Sequence, residues 1–329
     1  MKELREIVGR LGVGEPGAVM ATLVCVEGSS YRRPGARLLV TGAGNRIGSI
    51  SGGCLEEDLV ERCLRVRTSG RAELAVYDTT MDNDQIWGVG MGCHGVVRIL
   101  VEPLANRPEW AQVLAENIRH GRVTRLAVAW DERGGPVGTR LASPGPDSPP
   151  LGVFLQEVEA PTALTIFGAG DDAQPLARIA IELGWNVTVC DPRPALATES
   201  RFPGLNALVL GPAGELVGRS GIAPGSFAVV MTHHYRHDVP ILRQLLALPL
   251  DYIGLLGPKR RADQILSDLA RDGLVITAEM VERLRAPVGL DLGADSPEEV
   301  ALSIVAEMRS VLSGRNGRPL RERALPIHA

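Results

Sequence analysis

Short apolar runs alternate with helically spaced stretches through the second half of the chain. Residues 163–167, 186–190, 207–210, 227–232 and 252–256 are mostly apolar runs of strand length. Residues 172–183, 239–247 and 258–270 repeat apolar positions every three or four residues, the period of a helix packed on one face. A last helix opens at Ser296-Pro297-Glu298-Glu299. Ser296 is placed to cap it, Pro297 suits its first position, and Glu299 completes a capping box. Strand–helix alternation of this kind predicts a parallel sheet with helices on both faces, a doubly wound α/β domain.

The first half follows a different pattern. Residues 18–26 form one apolar β-type run, and 37–41 and 46–50 flank Gly42-Ala43-Gly44-Asn45, a hairpin turn. Residues 54–67 have helical spacing, with Leu55, Leu59, Cys63 and Val66 on one face. Glu56, Glu57 and Asp58 in its first turn suit the positive end of the helix dipole. Further strands are expected at 72–77, 96–102, 125–130 and 151–159, and a helix at 108–120. This half reads as α+β. The Pro- and Gly-rich stretch 143–150 breaks every periodicity. Together these features place a boundary near residue 160, giving domains 1–160 and 161–329.

Composition narrows the function. The 329 residues carry 35 basic and 39 acidic side chains, a net charge of −4, which argues against a nucleic-acid surface. Aromatic residues make up 4%, so the cores are aliphatic. Five cysteines, an odd number in no regular framework, argue for a reducing compartment. No apolar run reaches the roughly 18–20 residues needed to span a bilayer. The start of the chain carries acids and lacks the apolar segment of a signal peptide. A cytoplasmic protein is expected.

Three motifs in the second half carry chemistry. Gly168-Ala169-Gly170-Asp171-Asp172-Ala173 follows a strand, opens a helix and fits G-x-G-x-x-A. Asp191 closes the next strand, at the spacing of the acid that holds a ribose hydroxyl in dinucleotide-binding folds. Asp171 and Asp172 oppose an anionic ligand unless they turn away, and Arg193 offsets some of that charge or is simply solvated. His233, His234 and His237 follow the fourth strand, where loops face a ligand crevice. They are donors to a phosphate or a pterin edge, or a weak metal cluster. Gly257-Pro258-Lys259-Arg260-Arg261 starts a helix after the next strand, an anion site or a solvated basic turn.

The cysteines divide by context. Cys54 in Ser51-Gly52-Gly53-Cys54 and Cys93 in Gly92-Cys93-His94-Gly95 sit in glycine-padded turns, whereas Cys25, Cys63 and Cys190 lie in apolar patterns and read as packing residues. A thiol at a helix start is a soft ligand or nucleophile. The alternative for both is a small residue in a tight turn. Without a C-x-x-C, neither a thioredoxin motif nor a zinc ribbon applies.

These segments resemble the XdhC/CoxI proteins, the xanthine dehydrogenase accessory factors. The resemblance runs through residues 28–36, 48–56, 92–95, 167–170, 252–261 and 287–294 in order. It implies an N-terminal family domain, a C-terminal Rossmann domain, and a role in maturing molybdenum hydroxylases. Such proteins would bind molybdenum cofactor, as molybdopterin or its dinucleotide form, hold it while a cysteine desulfurase sulfurates it, and pass it to the apo-enzyme. Cys54, a possible molybdenum ligand, together with Cys93, Gly52, Gly53, Gly168, Gly170, Asp191, His233, His234, Lys259 and Arg260, are the candidate cofactor-binding residues, spread over both domains. Arg32 and Arg33 would add phosphate contacts, or are ordinary surface arginines. The chain would then be a cofactor-binding chaperone, a homodimer, rather than a catalyst. The competing readings are an NAD(P)-dependent oxidoreductase with a substrate-binding first domain, and a docking factor that holds no cofactor.

Overall fold

The computed structural model describes residues 1–28, 30–78, 95–142 and 149–324. The chain divides into two compact units, Met1–Ala160 and Pro161–Ala329.

The first unit runs α1 (Lys2–Val13), β1 (Val19–Gly28), β2 (Arg37–Val40), β3 (Arg46–Gly48), α2 (Glu56–Ser69), β4 (Glu73–Asp78), β5 (Gly95–Pro103), α3 (Glu109–Arg119), β6 (Thr124–Ala129), β7 (Gly138–Leu141) and β8 (Val153–Val158). The strands form two antiparallel sheets, ordered β3-β2-β1-β5-β4 and β7-β6-β8. Strand side chains alternate between faces. Leu23, Leu38, Ile99 and Val101 therefore meet Leu59, Cys63 and Val66 of α2, while Met20 and Leu39 meet Ile7, Leu11, Trp110 and Leu114 on the other side. The β2–β3 hairpin closes as expected, with Thr41 N–H donating to Asn45 and Gly44 N–H to Thr41.

The second unit runs β9 (Ala163–Phe167), α4 (Ala173–Glu182), β10 (Asn186–Asp191), β11 (Ala207–Leu210), α5 (Leu216–Ser220), β12 (Phe227–Val230), α6 (Tyr235–Leu246), β13 (Tyr252–Leu255), α7 (Lys259–Arg271), α8 (Ala278–Arg283), β14 (Leu284–Arg285) and α9 (Pro297–Ser313). Its sheet is parallel throughout, in the order β11-β10-β9-β12-β13-β14. That is the Rossmann order, and its switch point lies between β9 and β12. The capping box at Ser296 and Glu299 is present. The fold class is therefore mixed α/β, α+β first and a Rossmann unit second.

Three local expectations change. The helix expected at 54–67 starts at Glu56, because Gly52 (φ 73°) and Gly53 (φ 121°) adopt backbone that cannot continue into a helix. Helix α6 starts at Tyr235 rather than 239, so His237 is in its first turn instead of a loop, and Pro240 is accommodated within the helix. Helix α1, which escaped the sequence reading, buries Ile7, Val8 and Leu11.

Candidate functional site

One edge of the five-stranded sheet collects the first unit's candidates. The β1–β5 ladder ends at Gly28 opposite Gly95, and β4 ends at Asp78 opposite Val96. The turn after Gly28 returns through Gly35, whose N–H donates to Leu23, and β3 leads back to the same edge. Residues 30–36 and 49–55 therefore meet there. Cys93 and His94 precede Gly95 and lie outside the described residues.

Glu56 organises the turn that carries Cys54. Its carboxylate accepts from Ile50 N–H (3.1 Å), Ser51 N–H (2.8 Å), Gly53 N–H (2.8 Å) and the hydroxyls of Ser49 (3.0 Å) and Ser51. Burial alone would push this carboxyl up, but the bonds from Ser51, Ile50 and Gly53 outweigh it and hold the group at about 2. Ser51 Oγ also accepts from Leu55 N–H at 2.8 Å. The turn thus closes on its own side chains, and Cys54, flanked by exposed Gly52 and Gly53, faces outward. A Cβ at Gly53 would meet nothing within 4 Å. At Gly52 it would stand 3.0 Å from the Tyr31 ring.

The neighbouring arginines differ. Arg32 reaches the Ser49 carbonyl (3.2 Å) and Glu3 (2.6 Å), so it ties the two turns together. Arg33 is exposed at the same edge. The remaining described cysteines are Cys25, Cys63 and Cys190. Burial raises the Cys63 thiol to about 11 and the Cys190 thiol to about 12, as suits packing residues. Cys25 departs from that reading: it is half-buried and its sulfur lies 3.5 Å from an Arg98 donor.

The second unit gathers its candidates at the carboxyl edge of β9, β10, β12 and β13. A Cβ at Gly168 (φ 124°) would be 2.8 Å from Thr232 N, so glycine here lets the β9 and β12 connections touch. Gly170 faces His233, 3.9 Å from where its Cβ would be. The Asp191 carboxylate is fully buried and accepts from Ala169 N–H (2.6 Å), Arg193 N–H (2.8 Å) and the Arg193 guanidinium (2.8 and 2.9 Å). A ribose contact would require it to release Arg193. Burial would raise this carboxyl, but the bonds from Arg193 and Ala169 hold it below its ordinary value.

The two acids that seemed to oppose an anion have partners. Asp171 pairs with Arg201 at 2.9 Å, and Asp172 with His233 Nε2 at 2.8 Å. His233 has φ 57°, unusual outside glycine. Thr232 Oγ1 accepts the His234 N–H (3.1 Å) and donates to Asp238 (2.5 Å), which Arg261 also binds. These bonds fix the bend at His233. His234 is exposed and stacks on His237 at 4.4 Å. Burial, with His234 and Arg193 nearby, pushes the His237 imidazole down. Lys259 and Arg260 are exposed in the first turn of α7, while Arg261 is held by Asp238. Among the described residues no group of three or more His, Cys, Asp or Glu is placed to hold a metal ion. No described helix is long and apolar enough to cross a membrane.

Sequence reasoning missed Glu56 as the centre of its turn, and with it Tyr31, Arg201 and Asp238. The run of small donors from Ser49 to Gly53 just before an acid was the available signal for Glu56. Nothing local announces Arg201, which meets Asp171 across 30 positions.

Comparison with known proteins adds the context. The pattern of the XdhC Rossmann domain matches residues 164–308, and that of the XdhC and CoxI family matches residues 14–78. A Bacillus subtilis protein described as a probable xanthine dehydrogenase subunit is 33% identical over 88% of this chain and 92% of its own length. The Escherichia coli molybdenum cofactor insertion chaperone PaoD is 25% identical over 90% of this chain and 83% of its own. A solved Bacillus halodurans structure described as a xanthine dehydrogenase has a TM-score of 0.80 at 29% identity, covering 96% of this chain and 97% of that one.

Proposed function

The chain belongs to the XdhC and CoxI family, and from that premise we propose that it is an accessory factor for a xanthine dehydrogenase- or CO dehydrogenase-type enzyme, binding molybdenum cofactor and delivering it. The exposed Cys54 thiol on a turn already closed by Glu56 is the observation that carries this reading. A thiolate suits a soft metal. Because Ile50, Ser51 and Gly53 give their N–H groups to Glu56, phosphate contacts in this region fall to side chains, with Arg33 the exposed candidate. Arg32 serves as a tether between turns in this reading, and Cys93, outside the described residues, is the second thiol proposed for it.

The molybdenum cofactor supplies redox chemistry only once it reaches the client enzyme. The residues here would bind it and orient it. In the second unit, taken by itself, Gly170, His233, His234, Lys259 and Arg260 are the groups we assign to a nucleotide such as NAD(P). Asp191 would take part only if Arg193 let go. The apo-enzyme and a cysteine desulfurase are the partners this role requires, a homodimer is the assembly we expect, and the cytoplasm is where it would work.

The oxidoreductase reading is weaker, because His233 is tied to Asp172 and Asp191 to Arg193. Retention of molybdenum cofactor by wild type, Cys54→Ala and Cys93→Ala tests the carrier role. We expect Cys54→Ala to lose at least roughly tenfold in affinity, the scale of one lost ligand contact of about 1.4 kcal/mol or more. Equal affinity in all three proteins would remove both thiols. Bound NAD(H) with turnover of a substrate in the absence of any molybdoenzyme would replace the reading.

A further inference from the structure

Tyr31 is 67% exposed, and no described residue hydrogen-bonds its hydroxyl. Its ring nonetheless has a fixed floor. A Cβ at Gly52 would stand 3.0 Å from Tyr31 Cε1 and 3.3 Å from Cζ, so glycine lets the ring lie this close to that backbone. The next residue, Arg32, ties the ring's own turn to the Cys54 turn through the Ser49 carbonyl, at 3.2 and 3.3 Å, and reaches Glu3 as well. The Cys54 turn is in turn closed around Glu56. The ring therefore lies against the Gly52 position, two residues before the exposed Cys54, and is otherwise largely open to water.

A bare aromatic ring is costly to leave in water and is worth covering with another planar group. We propose that Tyr31 is a stacking platform for a planar, fused heteroaromatic ring, and specifically for a pterin whose metal-bearing end reaches Cys54. The identity of the ligand rests on the carrier role proposed above. The stacking itself does not need the metal, and this allows the two to be tested apart. A surface tyrosine that merely shields Gly52 would lose stability on truncation without any ligand selectivity.

Pterin-6-carboxylate, a fluorescent pterin without metal, reads the stacking when titrated into the full chain, because ring contact quenches its emission. Tyr31→Phe should keep wild-type affinity, with weaker quenching because phenylalanine is a poorer electron donor than tyrosine. Tyr31→Ala should weaken binding by roughly tenfold, the scale of one base-on-aromatic contact, at an unchanged thermal midpoint. Tyr31→Leu, which keeps bulk over Gly52 without a conjugated face, should behave like Tyr31→Ala. Cys54→Ser should leave the pterin titration unchanged while lowering retention of complete molybdenum cofactor.

Wild-type pterin affinity in both Tyr31→Ala and Tyr31→Leu, or no quenching by the wild type, overturns the platform. If Cys54→Ser still loses complete cofactor in that case, the carrier role stands and only the platform is lost. The reverse pattern, quenching that depends on Tyr31 with cofactor retention indifferent to Cys54, keeps the platform and removes the thiol.

Discussion

The Cys54 turn and the carboxyl edge of the Rossmann sheet are both glycine-rich connections leading into a helix, yet they dispose of their polar groups in opposite ways. At the first, one carboxylate gathers the surrounding donors and leaves the cysteine outside. At the second, the charged groups pair with one another: Asp191 with Arg193, Asp171 with Arg201, Asp172 with His233 and Asp238 with Arg261. Glycine permits a turn but does not decide whether the turn presents a reactive atom or encloses it. The position of the nearest carboxylate does.

The sharpest test of this contrast is alanine at one glycine in each region. Gly168 and Gly53 have nearly the same φ, 124° and 121°. At Gly168 a Cβ would lie 2.6 Å from Met231 C and 2.8 Å from Thr232 N, backbone atoms that cannot move aside cheaply. At Gly53 it would meet nothing within 4 Å. We expect Gly168→Ala to cost about 3 kcal/mol or more and Gly53→Ala about 1–2 kcal/mol, the strain of the backbone alone. Urea denaturation of the two variants measures this. Equal losses would mean that the two turns are equally confined.

Much of this arrangement was legible beforehand, and the reasons are local. Strands β9, β10, β12 and β13 are short apolar runs between helically spaced segments, and the Ser296 capping box spans four residues, so pattern and propensity agreed. Helix α1 was missed although Leu4, Ile7, Val8 and Leu11 have helical spacing, a stripe that becomes a core face against Trp110 and Leu114 of α3. The site followed the same rule. Cys54 and the G-x-G turn are visible in a window of a few residues. The Arg201–Asp171 and Arg261–Asp238 pairs, which join residues 30 and 23 positions apart, exist only after folding. Glu56 was read as an acid suited to the helix dipole, whereas it turns back to Ile50, Ser51 and Gly53. The dipole argument placed the charge correctly and missed the bonds that use it.

Glu56→Gln probes the first region at intermediate cost. An amide keeps the shape but cannot accept from all five donors, and we expect a loss of about 2 kcal/mol, the cost of one or two orphaned donors. The effect carries a pH signature. Folding lowers this carboxyl from its ordinary 4.5 to about 2. Its stabilisation is therefore complete above about pH 4.5 and is lost as pH falls toward 2, where the folded-state group takes up its proton. The thermal midpoints of wild type and Glu56→Gln should differ most at neutral pH and converge below pH 4.5. A gap that stays constant through that window would show that Glu56 acts by shape and not by charge.

His233→Gly is the smallest expected effect and the most direct test of the second region. The His233 backbone at φ 57° is strained for a side chain with a Cβ and relaxed for glycine. Glycine recovers that strain but enlarges the entropy of the unfolded chain, and the two terms nearly cancel. The substitution also removes the pair with Asp172, whose partners are 57% and 28% exposed, and a pair this open to water contributes about 0–1 kcal/mol. The net change should stay within about 0.5–1 kcal/mol of zero, read as a shift of a few degrees at most in the thermal midpoint. A loss well beyond that would make His233–Asp172 a strut that holds the β12 connection against the glycine turn. The pairing at this edge would then be what builds the turn, in the way that Glu56 builds the turn of Cys54.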